Sequence, residues 1–276
     1  MKIAISIDSA CDMPKEIIEK ENIHMIPYFV NMGDEEYRDG IDITTEDLFK
    51  YAKETGKLAK TGAISVDGFR EHFLDLLKDN DAVIHFSLSG EITSACEHAK
   101  IASDGLNVKV IDSKSLSSGI ALLVLSAVRK IKEGKSLDQI VEEINAEREK
   151  VQASFLVDTL KYLHKGGRCS SIAAIGAKLL MIKPKILVKD GKMTVVKKYM
   201  GGINSCLLKY VEDTLKMSNP DTTVAFCTHS SKMEISRKIC DRLKEYGFKE
   251  VYDCDASSTI STHCGPNTLG ILFINK

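Results

Sequence analysis

Four short segments concentrate the hydroxyl and glycine residues that could hold or transform a small anion. They are Asp-Ser-Ala-Cys-Asp at 8–12, Lys-Thr-Gly-Ala-Ile-Ser at 60–65, Ser-Leu-Ser-Gly-Glu-Ile-Thr-Ser at 87–94 and Asp-Ser-Lys-Ser at 112–115. Ser and Thr hydroxyls donate to carboxylates and phosphates, and become nucleophiles when a base activates them. The same residues cap helix N-termini, so each segment reads either as a cap or as part of a polar cluster. A Ser nucleophile would need its base, and the chain has neither a GxSxG elbow nor triad spacing. GxGxxG, GxxxxGK[ST] and HExxH are missing as well. Of the seven His, His263 stands out in Ser-Thr-His-Cys-Gly-Pro at 261–266, a polar turn before the last predicted strand. There it is either a donor or base facing a carboxylate, or an exposed loop residue. Lys165-Gly166-Gly167-Arg168 is the other unusual run. Arg168 could grip a carboxylate or phosphate through two parallel hydrogen bonds, or simply follow a helix C-cap.

The elements that must position these residues alternate along the first half. Strands are predicted at 2–7, 25–30, 82–87 and 108–111, with helices at 14–21, 45–55, 67–79 and 94–103. This order implies a parallel sheet covered on both faces, whose ligands bind beyond the carboxyl ends of the strands. Helices at 117–133 and 137–150 follow, and the pattern then changes. Strands are predicted at 153–157, 185–188, 194–199, 223–228, 251–255 and 270–275, with Lys-Asp-Gly-Lys at 189–192 as a hairpin turn. Helices at 172–181, 205–217 and 232–246 fill the gaps. The segment 171–182 is apolar almost all round, so it is core or lines an apolar cavity. The reading is two α/β domains: 1–150 with a parallel sheet, and 151–276 with a mixed sheet.

Composition removes several classes. The chain of 276 residues carries a net charge of −1, no Trp and 6% aromatics, so neither a basic field nor a base-stacking platform for nucleic acid is expected. The longest apolar stretch, 119–128, is too short to span a bilayer. The first eight residues lack a signal peptide's long apolar run and cleavage site, so a cytoplasmic location and no stable membrane insertion are expected. The eight Cys include no CxxC pair, and core thiols are expected in preference to a disulfide framework or a metal site.

The motifs together resemble the DegV family of fatty acid-binding, FakB-like proteins. Asp-Ser-Ala-Cys-Asp-Met-Pro at 8–14 is similar to the opening DSxxDLP, and residues 60–65 occupy the place of TSQPS. Residues 88–95 resemble LSGTYxSA, residues 160–170 LxYLxKGGRIS, residues 183–187 KPIL and residues 262–270 THxGPGALG. These matches run in order over nearly the whole chain.

The resemblance implies a DegV-like two-domain fold that buries a palmitate-like long-chain fatty acid and needs no cofactor. It implies that Thr61 and Ser89 bond the carboxylate and that His263 completes the cradle. Gly62 stands where the family usually has Ser, so only its backbone N–H could serve. Glu91 also departs from the pattern and would repel a ligand carboxylate. The bound acid would be presented to a separate fatty acid kinase, as part of lipid transport. Arg168, distant in sequence from the Thr61 and Ser89 loops, is assigned to partner docking or phosphoryl chemistry at the site mouth. Two other classes stay open: a Ser89/His263 hydrolase or phosphotransferase, and a sensor whose ligand only stabilises it for partner binding.

Overall fold

The computed structural model describes residues 1–169 and 182–276. Strands β1 (Ile3–Asp8), β2 (His24–Ile26), β6 (Ala82–Ser87) and β7 (Val108–Asp112) form a fully parallel sheet in the order β2-β1-β6-β7. β6 is buried along its whole length, as expected of a central strand covered on both faces. Helices α1 (Lys15–Lys20), α3 (Val66–Leu76), α4 (Ala95–Ala102), α5 (Ser118–Lys132) and α6 (Leu137–Glu147) follow the predicted alternation.

The predicted strand 25–30 divides in two. Pro27 supplies no ladder donor, and β2 ends before it while β3 (Phe29–Met32) begins after it in another sheet. β3 pairs antiparallel with β4 (Glu35–Arg38) and β5 (Lys60–Gly62), forming a small three-stranded sheet that the residue pattern did not reveal. Helix α2 (Thr45–Thr55) lies between β4 and β5 in the chain. A capping box between Thr44 and Asp47 opens it, and Gly56 closes it in the left-handed conformation.

The second sheet has six strands: β8 (Val151–Leu156), β9 (Ile182–Lys189), β10 (Lys192–Met200), β11 (Pro220–His229), β12 (Glu250–Asp255) and β13 (Leu269–Asn275). Their order is β10-β9-β8-β13-β11-β12, antiparallel throughout except for β11 with β12. The predicted hairpin is present, with Asp190 and Gly191 both at positive φ between β9 and β10. Helices α8 (Ile203–Met217) and α9 (Glu234–Tyr246) pack on this sheet. The apolar segment predicted at 171–182 lies outside the described residues, apart from Ile182 at the start of β9.

Helix α5 explains the longest apolar run. It touches β1 and β6 of the parallel sheet and β8, β11 and β13 of the mixed sheet, so nearly every side chain from Ser118 to Val128 is buried. A helix that is apolar all round is one that is covered all round. One apolar core therefore runs continuously from Ile7 and Phe86 through α5 to Phe155 and Leu272. All eight cysteines are buried.

Two further helices were not predicted: α7 (Lys161–Gly166) and α10 (Ser258–Cys264). The segment read as a polar turn around His263 is mostly this seven-residue helix. Ser and Thr are indifferent helix formers, and α10 is buried on nearly all sides, so it shows no amphipathic period.

Candidate functional site

Helix α10 is held in place from the first half of the chain. Asp39 Oδ1 accepts the Ser258 N–H at 2.9 Å, and its Oδ2 accepts the Thr259 N–H at 3.2 Å and the Ser9 hydroxyl at 2.9 Å. Asp12 accepts the Ser257 N–H at 2.9 Å and the Ser117 hydroxyl at 2.5 Å. Two buried carboxylates thus receive the N–H groups that a helix N-terminus leaves unpaired. Burial pushes the Asp12 carboxyl up to about 7, against these hydrogen bonds, and raises Asp39 as well. Asp8 meets the other strand end in the same way, accepting the Leu88 and Ala10 N–H groups, and burial pushes it up to about 7. Through Asp12, and through Ser9 and Asp39, the 8–14 motif therefore clasps the two halves together.

At the far end of α10, His263 Nε2 lies 2.8 Å from Thr61 Oγ1 on β5. Its Nδ1 is buried with no hydrogen-bond partner among the described residues. Burial, reinforced by the Arg168 charge, pushes the imidazole down to about 4, so it is neutral at pH 7. The paired glycines explain how the ring is seated. Gly167 takes φ +67° and ends α7, whereas a Cβ on Gly166 would fall 2.3 Å from His263 Nδ1. Gly166→Ala is therefore expected to displace the imidazole and break its contact with Thr61, visible as a changed His263 ring signal by NMR. Gly167→Ala, with nothing near its Cβ, should cost about 1 kcal/mol of stability for its αL backbone and leave that signal in place. Equal ring shifts in the two variants would refute this seating.

Thr61 and His263 border a cavity of about 400 Å³, within the usual size of small-molecule sites. Its wall combines apolar Leu88, Ile92, Leu116, Met193, Ile260 and Cys264 with polar Thr61, Glu91, Thr93, Ser94, Arg168 and His263. Leu116, Ile260 and Cys264 also line a smaller chamber of about 30 Å³ that continues between the two sheets toward Phe155 and Leu272. Thr61, His263 and Arg168 also line a vestibule of about 650 Å³ that carries Lys57, Lys60 and Lys165. Arg168 is exposed and folds back to donate to the Gly166 carbonyl at 2.7 Å. The pair thus belongs to both a largely apolar cavity and a basic vestibule.

The other two expected contacts are placed elsewhere. Ser89 is fully buried, but its hydroxyl donates to the Gly191 carbonyl at 2.9 Å and accepts the Glu91 N–H at 3.2 Å. It pins the β9-β10 hairpin against the first half and is not part of the cavity wall. Gly62 is paired with Phe29 in the β3-β5 ladder and is likewise absent from the wall. Thr93 and Ser94, four and five residues beyond Ser89, line the cavity instead. The 87–94 segment carried the right hydroxyls, but spacing alone could not tell which of them would face inward. Glu91 is paired with Lys192 Nζ at 3.2 Å, so the hairpin offsets its charge. With Ser89 bonded to Gly191 and His263 to Thr61, the two do not form a nucleophile–base pair.

The family model described as uncharacterised protein, DegV family, matches residues 2–276. The chain belongs to the DegV family. A DegV domain-containing protein of Caldanaerobacter subterraneus subsp. tengcongensis is 32% identical over 281 residues, covering 100% of this chain and 99% of that protein. Among solved structures, DegV of Bacillus subtilis, described as a fatty acid binding protein, matches with a TM-score of 0.87 and 29% identity, covering 100% of both chains. A protein of Eubacterium ventriosum, described as binding stearic acid, matches with a TM-score of 0.88 and 26% identity, covering 99% of this chain and 98% of that one. The DegV architecture expected from the motifs is thus the architecture of this chain. Among the described residues, no helix is long and apolar enough to cross a membrane.

Proposed function

We propose that this DegV protein binds one long-chain fatty acid, palmitate-like in length, with its carboxylate at Thr61 and His263 and its tail in the apolar cavity. The observation that carries this reading is the Thr61–His263 pair, shared by a largely apolar cavity and a basic vestibule. The descriptions of the Bacillus subtilis and Eubacterium ventriosum relatives point the same way. Burying some fifteen methylenes at about 0.8 kcal/mol each supplies the affinity, before association costs are subtracted. The Thr61 hydroxyl fixes orientation by donating to the carboxylate, and the neutral imidazole holds that hydroxyl in place by donating Nε2–H to Thr61 Oγ1. Residues 1–150 and 151–276 act in this reading as one unit closed over the ligand by the Asp12 and Asp39 clasp.

The finer part of the proposal is that the protein is a cytoplasmic carrier, not a catalyst, and presents the carboxylate to a fatty acid kinase. Lys57, Lys60, Lys165 and Arg168 give the vestibule the charge that a phosphoryl donor or an acidic partner surface would meet, and Arg168 stands at its boundary with the cavity.

Native mass spectrometry of the protein purified without added lipid tests the binding. One acyl chain per protein, released on denaturation as a free C14–C18 acid, is the expected result. No lipid, together with no thermal stabilisation by any C14–C18 acid, would overturn it.

A further inference from the structure

Away from the cavity, two thiols and a carboxylate converge beneath α9. Cys227 on β11 and Asp253 on β12 are register partners in the parallel pair, and α9 brings Cys240 against them. The two Sγ atoms and a carboxylate oxygen of Asp253 all lie within 4.8 Å of one another. We propose that Cys227, Cys240 and Asp253 bind one zinc-class divalent cation that staples α9 to β11 and β12.

A tetrahedral zinc with bonds of about 2.3 Å to sulfur and about 2.0–2.2 Å to oxygen holds its donors roughly 3.5 Å apart, so the present spacing needs only small side-chain adjustments. Two sulfur ligands favour zinc over magnesium or calcium, which prefer all-oxygen shells. The carboxylate is already oriented, with Oδ1 3.1 Å from His229 Nε2 and Oδ2 accepting the Ser236 hydroxyl at 2.9 Å. Such outer contacts characterise metal-binding carboxylates. The Asp253 side chain is 43% exposed, whereas Cys227 is fully buried and Cys240 nearly so. A cation can therefore arrive along Asp253, and water can complete the shell. On binding, the cation replaces the two thiol protons, which pass to solvent. The ligands come from two strands and the helix between them, at positions 227, 240 and 253, so no CxxC-type spacing signals the site.

The test is titration of the chelator-treated full-length protein with zinc chloride and, separately, cadmium chloride. The expected result is one equivalent bound, with proton release, a raised Tm and, for cadmium, a near-ultraviolet thiolate charge-transfer band. Cys240→Ser should abolish that band. Asp253→Asn, a partly exposed change that leaves the core intact, should weaken zinc binding by about tenfold or more. Neither side chain lines the cavity, so fatty acid binding should be unaffected, which separates failure of this site from failure of the ligand assignment. The proposal is overturned if no equivalent of metal binds, or if the band survives in both Cys227→Ser and Cys240→Ser. It is equally overturned if the untreated protein holds a Cys227–Cys240 disulfide, seen as a mass lower by two hydrogens. Should the cysteine variants not fold, the wild-type titration and Asp253→Asn still decide.

Discussion

Asp39→Ala is expected to lower the unfolding free energy by about 3–5 kcal/mol and to weaken ligand binding at the same time. Asp39 is fully buried and accepts three hydrogen bonds, from the Ser258 and Thr259 N–H groups and the Ser9 hydroxyl. Its removal leaves buried donors unsatisfied, each costing about 1–3 kcal/mol. Because His263 sits near the other end of that helix, loosening the anchor carries over to the head-group site. Asp39→Asn keeps one acceptor oxygen and should cost less. Urea unfolding at pH 7 with and without a C16 acid measures both effects. A loss of stability below about 1 kcal/mol would show that α10 does not depend on the clasp.

The second large effect falls on the Thr61–His263 pair. A hydrogen bond to a charged group contributes roughly 1.5–3 kcal/mol, so Thr61→Val and His263→Ala should each weaken binding of a free C16 acid by about one to two decades. Binding is not abolished, because the buried tail still favours it. Since burial holds His263 neutral at pH 7, it acts as an N–H donor and not as a countercharge. His263→Gln, which keeps a neutral donor, should therefore recover part of the loss. The methyl ester of the same acid should bind the wild type more weakly and distinguish little between the variants. Ser89→Ala, by contrast, should leave acid affinity within a few-fold and act on the hairpin contact with Gly191. Wild-type affinity in both Thr61→Val and His263→Ala, measured by isothermal calorimetry, would place the head group elsewhere.

Much of the architecture was legible in the chain because the signals were local. The short apolar run of 82–87 and the hairpin turn at Asp190-Gly191 each state their structure within a few residues. The helix predicted at 117–133 is α5, whose apolar run at 119–128 is buried between the two sheets. The motifs at 8–14, 60–65, 160–170 and 262–270 sufficed to identify the family. They also marked Thr61 and His263, which the fold brings to 2.8 Å across 202 positions of sequence.

What remained depended on contacts between residues far apart in the chain. Helix α10 forms from poor helix formers because Asp12 and Asp39, more than two hundred residues earlier, accept its first N–H groups. Gly166 and Gly167 look alike in sequence, yet one satisfies a positive φ and the other makes room for His263. Ser89, Thr93 and Ser94 are equivalent as hydroxyls until the Gly191 carbonyl takes the first and leaves the others on the cavity wall. The sequence by itself determined most of the elements, the family and the chemical types available at the site. Only the tertiary structure decided which hydroxyls face the cavity and which hold the molecule together, because that choice rests on which distant backbone group reaches each side chain first.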